Sequence, residues 1–226
     1  RGGARIGHDR MFDSMYLDGL EDAYEPGKLM GTFAEDTARE YQFTREQQDD
    51  YAIASLTRAQ KAQKDGSFDR EIVPVTVSGR KGDVTVSEDE QPAKGDVSKI
   101  PTLKPAFAKD GTITAANASS ISDGAAALVM TRASVAERLG VKPVARIVAH
   151  AAHAHLPAKF TTAPVLAMQK ALEKAGWAIG DVDLFEVNEA FAVVSMIAMR
   201  DLGISHDVLN IHGGACALGH PIGASG

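Results

Sequence analysis

The groups best suited to acid–base chemistry lie between residues 210 and 226, in the run Asn-Ile-His-Gly-Gly-Ala-Cys-Ala-Leu-Gly-His-Pro-Ile-Gly-Ala-Ser-Gly. His220 carries an imidazole, the side chain whose ordinary pKa lies closest to neutrality. Pro221 fixes the backbone beside it, and the surrounding glycines let a ligand approach the main chain. Upstream, Asn188-Glu189 interrupts two apolar stretches, 182–187 and 190–199, which read as a strand and then a helix. In α/β folds, ligands bind at the carboxyl ends of strands. Taken alone, Asn188 and Glu189 are more often a helix N-cap than a catalytic pair.

Other chemistries fit these residues less well. His212, Cys216 and His220 recur at intervals of four and on a helix would share one face, where they could bind zinc. Three glycines and a proline in and beside that segment oppose the helix, so no metal site is expected. His150, His153 and His155 form a second cluster; on a strand 153 and 155 share a face and 150 points away, and a partly exposed loop is expected. The Gly-rich run lacks both the G-x-G-x-x-G of a dinucleotide site and the Gly-Lys-Ser/Thr of a P-loop.

Three blocks carry a resemblance. They are Asn117-Ala118-Ser119-Ser120 through Asp123-Gly124-Ala125-Ala126-Ala127, then Val187-Asn188-Glu189-Ala190-Phe191, then Gly213-Gly214-Ala215 through Gly219-His220-Pro221-Ile222-Gly223-Ala224-Ser225-Gly226. In order and spacing they resemble three signature segments of the thiolases, most closely the short-chain acetyl-CoA acetyltransferases. The resemblance runs through essentially the whole chain, and three motifs in register are far more specific than one.

The resemblance implies an α/β thiolase-like fold, a βαβαβ mixed sheet with flanking helices. Residues 1–121 would be the coenzyme A-binding loop domain inserted in the N-terminal domain, 122–142 the end of that domain, and 143–226 the first part of the C-terminal domain. The implied activity is Claisen condensation of two acetyl-CoA molecules, or thiolysis of a 3-ketoacyl-CoA in reverse. Coenzyme A thioesters are then substrates, and no cofactor is expected. His220 would stabilise a thiolate and donate to the thioester oxygen, while Asn188 would hold a water as second donor. Met30, Phe107, Ala115, Ser119, Ala190 and Phe191 map onto the coenzyme A tunnel, and Phe160 onto the loop facing the acyl pocket. Cys216 stands at a variable small position and reads as a buried thiol. The family's nucleophilic cysteine lies upstream of Arg1 and its proton-transfer cysteine downstream of Gly226, so the chain reads as the middle of a thiolase. The 226-residue chain by itself is therefore expected to show no turnover, because loss of a covalent nucleophile leaves only residual catalysis. Thiolysis of acetoacetyl-CoA by the purified chain, above a protein-free blank and abolished by His220→Ala, would contradict this.

Some positions depart from the family pattern. An Arg common after a Pro in the phosphate-binding loop is Ala93 here, and Lys94 takes its place as a point charge for phosphate. His212 replaces the usual Asn before Gly-Gly. Phe160 and the stretch 96–107 resemble a potassium-activated mitochondrial relative, but Pro92 stands where that relative has Tyr at its ion site, which argues against potassium dependence. The alternative reading is a non-catalytic acyl-CoA-binding protein of the same fold. A β-ketoacyl synthase fits less well, since its histidines sit in different motifs.

The elements that must position these groups follow local signals. Thr44-Arg45-Glu46-Gln47 is a capping box, followed by Tyr51, Ala52, Leu56, Ala59 and Ala62 at helical spacing up to Gly66. Residues 33–41, 134–140, 163–175 and 190–202 read as further helices, and 11–20 as a short helix or loop. Alternation over 71–78 and 84–86 around Gly79-Arg80-Lys81-Gly82-Asp83 reads as a hairpin, and 91–104 as a loop carrying Lys94, Lys99 and Lys104. Strands are expected at 125–131, 144–150, 182–187 and 208–211, alternating with helices around a largely parallel core.

Composition sets the outer bounds. The 226 residues carry 44% hydrophobic and 24% charged side chains, ordinary for a globular protein. A formal charge of -6 argues against general nucleic-acid binding, and no apolar stretch reaches bilayer-spanning length. A single cysteine fits a reducing compartment, so the cytoplasm, or the mitochondrial matrix in a eukaryote, is the expected location. The family's usual assemblies imply a homotetramer or homodimer.

Overall fold

The computed structural model of the chain describes residues 6–225. Its helices are α1 (Met30–Glu40), α2 (Arg45–Asp65), α3 (Glu90–Lys94), α4 (Ala133–Leu139), α5 (Ala163–Ala175), α6 (Ala192–Leu202) and α7 (Ala215–Leu218), with one antiparallel hairpin, β1 (Val75–Gly79) and β2 (Gly82–Val86). The core sits around α6. Its sequence AVVSMIAMRDL is apolar on every side until the last turn, and a helix of that kind must be surrounded. Ala192, Val193, Ile197 and Ala198 are accordingly shielded from solvent, among Ala34 and Ala38 of α1, Tyr51 of α2, and Leu209.

Helix α2 is the member onto which the site-bearing loops are tied. Thr44 Oγ1 accepts from Gln47 N at 3.1 Å, Gln47 Oε1 accepts from Thr44 N at 2.9 Å, and Gly66 ends the helix at φ 82°. Such a cap is worth about 1 kcal/mol. Arg45 donates to Leu103 O at 2.8 Å while pairing with Asp49 at 2.7 Å. Asp49 in turn accepts from Asn117 Nδ2 at 3.2 Å, and Arg58 donates to Leu209 O at 2.8 Å. One helix thereby fixes the 97–117 segment and the approach to the Gly-rich loop.

Helix α1 begins at Met30, three residues before the expected start, while α5 spans 163–175 as the sequence reads. The hairpin forms with its strands shortened to Val75–Gly79 and Gly82–Val86. The expected loop at 91–104 holds α3 and a 3₁₀ stretch, Val97–Thr102, each opened by an Asp side chain that accepts a backbone N–H. The 11–20 segment contains one wide π-type turn, Tyr16–Leu20.

The expected parallel strands are the main local difference. Residues 182–187 and 208–211 meet only at a parallel bridge between Phe185 and Leu209, with Phe185 N donating to Val208 O at 2.8 Å and Asn210 N to Phe185 O at 2.9 Å. Residues 125–131 and 144–150 make no ladder among the described residues. A strand's hydrogen bonds are supplied by neighbours, and none flanks these two. Val129 and Val144 are fully exposed at 102% and 106%. Their apolar runs record a demand for burial between partners, which is what a parallel sheet's strands share. Among the described residues, no helix is long and apolar enough to cross a membrane.

Candidate active site

A cavity of about 340 Å³ opens where the start of α1, the 118–121 segment and the turn before α6 meet the His220 loop. Met30, Phe107, Ser119, Phe160, Ala190, Phe191 and His220 all line it, so most of the residues singled out in the sequence come together here. Phe107 and Phe160 stand around Phe191 with ring centroids 6.2 and 6.5 Å away, giving the cavity an aromatic wall. The 117–119 segment is stitched to the turn before α6. Ser119 N and Oγ both donate to Ala190 O at 3.1 Å, and Ala192 N donates to Asn117 O at 2.8 Å. Tyr16, Leu20, Leu29 and Ile222 also line the cavity; Ile222 belongs to the His220 motif, while the other three lie in no motif of the sequence.

Gly31 lets the wall close. A Cβ there would lie 2.3 Å from the Phe107 ring, so a larger residue must push that ring into the cavity or off Phe191. Gly31→Ala is expected to destabilise the fold by about 1–3 kcal/mol, the usual cost of overpacking. Thermal unfolding beside wild type checks this, and an unchanged midpoint would mean that the Phe107 ring yields without cost.

His220 reaches this cavity from a loop held at two points. Its backbone N donates to Ser120 O at 3.0 Å, and Gly219 before it adopts φ 92° with no room for a side chain, since a Cβ would lie 2.2 Å from Ser122 Oγ. His220 Nε2 lies 3.3 Å from Asn188 Nδ2, which brings the two expected catalytic groups into contact. Nδ1 is buried with no hydrogen-bond partner among the described residues. Burial holds the ring below the ordinary imidazole range, so it is neutral at pH 7. Lowering pH through about 6.5 charges the unfolded ring first, so His220 withdraws stability on that side of neutrality.

Neither Asn188 nor Glu189 caps α6. The N-cap position is Phe191, which makes no side-chain cap. Asn188 is exposed and turned toward His220, whereas Glu189 is completely buried. Cys216 is half-buried as a residue, but desolvation of its sulfur, with the Glu189 carboxylate beside it, pushes the thiol well above the ordinary range, and a neutral thiol is a poor nucleophile.

Lys94 and Ala115 fall outside the cavity. They line an adjoining depression of about 300 Å³ with Asp96, Lys99 and Cys216, and Ser120 borders both spaces. Lys94 pairs with Glu90 at 3.2 Å and Lys99 with Asp96 at 3.4 Å, all at the surface. Exposed pairs of this kind are worth about 0–1 kcal/mol, so a phosphate can displace the carboxylate. In the other His cluster, His153 Nδ1 lies 2.9 Å from Lys170 Nζ, and its ring meets His155 edge-on at 5.5 Å.

The sequence matches the thiolase N-terminal domain over residues 1–134 and the thiolase C-terminal domain over 141–226. It is 51% identical to a probable acetyl-CoA acetyltransferase of Dictyostelium discoideum, covering 100% of this chain and 55% of that protein. It is 49% identical to the acetyl-CoA acetyltransferase of Shinella zoogloeoides, covering 100% of this chain and 57% of that one. The chain thus spans a little over half the length of these relatives. Its fold is similar to that of the Bacillus anthracis acetyl-CoA acetyltransferase, with TM-score 0.91 at 40% identity over 99% of this chain and 57% of that one. It is likewise similar to an Ascaris suum thiolase solved in complex with coenzyme A, with TM-score 0.88 at 40% identity over 100% of this chain and 58% of that one. With family domains matched on both sides of residues 135–140, and with its three motifs gathered at one cavity, the chain belongs to the thiolase family.

Proposed function

We propose that the protein containing this chain is an acetyl-CoA C-acetyltransferase, condensing two acetyl-CoA molecules to acetoacetyl-CoA and coenzyme A, or running the reverse thiolysis. The observation that carries this reading is the meeting of His220 Nε2 and Asn188 Nδ2, 3.3 Å apart, where His220 borders an apolar cavity. Enolate formation places negative charge on a thioester oxygen, and hydrogen-bond donors fixed beforehand in a dry site stabilise such charge. Asn188 Nδ2 can only donate, so in this contact Nε2 accepts and the neutral ring carries its proton on Nδ1, which has no partner among the described residues. With no acceptor fixing the proton at Nδ1, a thioester oxygen that enters against Nε2 draws the ring into the tautomer that donates from Nε2, and Asn188 is freed to hold a water as the second donor.

On this reading the aromatic wall and Met30 hold the pantetheine arm, Phe160 borders the acyl group, and Lys94 with Lys99 meets the nucleotide phosphates. Residues 1–121 act as the coenzyme A-binding loop domain, 122–142 close the N-terminal domain, and 143–226 open the C-terminal one. The acetyl-CoA acetyltransferase names of relatives at about half identity, and the coenzyme A bound to a similar structure, support the substrate class. The complete enzyme works as a homo-oligomer in the cytoplasm or mitochondrial matrix. The test is thiolysis of acetoacetyl-CoA by the complete gene product. Turnover that depends on both acetoacetyl-CoA and free coenzyme A is expected. Stoichiometric acyl-CoA binding without turnover would replace this reading with the binding protein.

A further inference from the structure

We infer that Glu189 is the positioning residue of this site, whose carboxylate sets where Asn188 and the His220 loop stand relative to one another. The inference rests on the thiolase reading for its kinetic test only; its geometry stands alone. Glu189 is fully buried, yet the chemistry described above does not use it. Oε1 accepts from Tyr51 Oη at 2.8 Å and from Asn210 Nδ2 at 2.8 Å. Oε2 accepts from Ser55 Oγ at 2.8 Å and from Cys216 N at 3.0 Å. One carboxylate therefore ties together α2, the bridge segment at 209–210 and the first turn of α7, while its own backbone neighbour is Asn188.

The directions of these bonds are determined. Ser55 Oγ accepts from Gly214 N at 3.0 Å, so its proton goes to Glu189. Asn210 spends its two amide hydrogens on Glu189 Oε1 and Val187 O, and a carboxylate oxygen only accepts, so the phenol supplies the hydrogen of its own 2.8 Å contact. All four groups are donors, which suits a side chain that accepts on both oxygens. The same amide of Asn210 donates to Val187 O at 2.8 Å and its Oδ1 accepts from Val187 N at 2.8 Å, so the clamp grips the chain just before Asn188 as well. On the other side it grips Cys216, from which a single helical turn and Gly219 lead to His220.

The Gly213-Gly214 pair answers to this clamp. A Cβ at Gly214 would lie 2.4 Å from the Glu189 carboxyl, and one at Gly213 would lie 2.5 Å from Ser55 O, at φ +80°. The two glycines let the loop pack directly onto the carboxylate and α2.

Glu189→Gln keeps the shape and breaks the logic. Whichever oxygen becomes NH₂ faces an obligate N–H donor, Asn210 Nδ2 on one side or Cys216 N on the other. In the complete enzyme, kcat is expected to fall roughly tenfold to a hundredfold with KM for acetoacetyl-CoA within about threefold, because a misplacement near 1 Å suffices for such losses. A kcat within twofold of wild type, or a loss carried equally by KM, overturns the inference. Should the variant not fold, Ser55→Ala leaves the carboxylate in place and removes one donor; a severalfold kcat loss at constant KM supports the inference, and unchanged kcat overturns it. A crystal structure of whichever variant folds supplies an arm that needs no turnover. Loss of the 3.3 Å contact between Asn188 and His220 is expected, and its retention overturns the inference. A wild-type enzyme without thiolase turnover would sink the proposed function while leaving the structural arm to decide on Glu189.

Discussion

Replacing His220 with alanine in the complete enzyme will lower turnover by at least roughly a hundredfold to a thousandfold, the worth of one donor aimed at an oxyanion. The loss should be larger than that figure, because the ring is expected to serve twice. It donates to the thioester oxygen as charge develops there, and in the acylation step the neutral ring favours the thiolate of the nucleophile by taking the thiol proton. The ring is neutral at pH 7 and borders the apolar cavity, so it meets the thioester as a neutral N–H donor. Asn188→Ala should cost less, about tenfold to a hundredfold, because Asn188 is exposed and water can partly refill its place. Neither side chain belongs to the lysine-bearing depression, so the dissociation constant for coenzyme A should stay near the wild-type value in both variants. Steady-state turnover and coenzyme A titration of the three proteins check this. Near-normal turnover in His220→Ala, or a defect confined to coenzyme A binding, would remove His220 from the catalytic role.

What the sequence revealed and what it hid divide along physical lines. The capping box at Thr44 and Gln47 and the left-handed stop at Gly66 are written within a few residues of where they act, and α2 forms between them. His220 and Asn188 were legible because the motifs that carry them name the residues themselves. The apolar runs at 125–131 and 144–150 have the composition of strands, but a ladder belongs to a pair, and among the described residues neither run has a strand neighbour. Ala115 maps onto the tunnel in the sequence, yet the chain folds it into a separate depression beyond Ser120, beside the Lys94 expected to meet phosphate. Glu189 shows the limit most clearly. Beside Asn188 and just ahead of an apolar run, it resembled a helix cap. Its partners Tyr51 and Ser55 lie 138 and 134 positions away, where no local pattern can announce them.

A second buried carboxylate, Glu35 on α1, carries the largest expected effect on stability, and through it on the cavity wall. Only 5% of Glu35 is exposed. Its oxygens accept from Thr112 N at 2.9 and 2.8 Å, from Ile113 N at 2.8 Å and from Thr112 Oγ1 at 3.1 Å. Thr112 Oγ1 is itself supplied by Gln48 Nε2 at 2.9 Å, so its proton is committed to Glu35. Gly111 makes the approach possible, since a Cβ there would lie 2.2 Å from Oε1. These bonds hold the segment that runs on through Asn117 and Ala118 to Ser119, the strip stitched to Ala190 at the cavity. Glu35→Ala strands two backbone N–H groups in the interior, one of them on Ile113, which is fully buried. The expected destabilisation is about 2–5 kcal/mol, from the loss of bonds to a charged acceptor and the cost of unpaired buried donors. For a domain of this size that corresponds to a melting temperature lower by roughly 5–15 °C. Thr112→Val, which removes only the hydroxyl bond, should fall well short of that. Thermal unfolding of the two variants beside wild type decides the matter, and equal losses in both would mean that the hydroxyl, not the backbone clamp, anchors this wall.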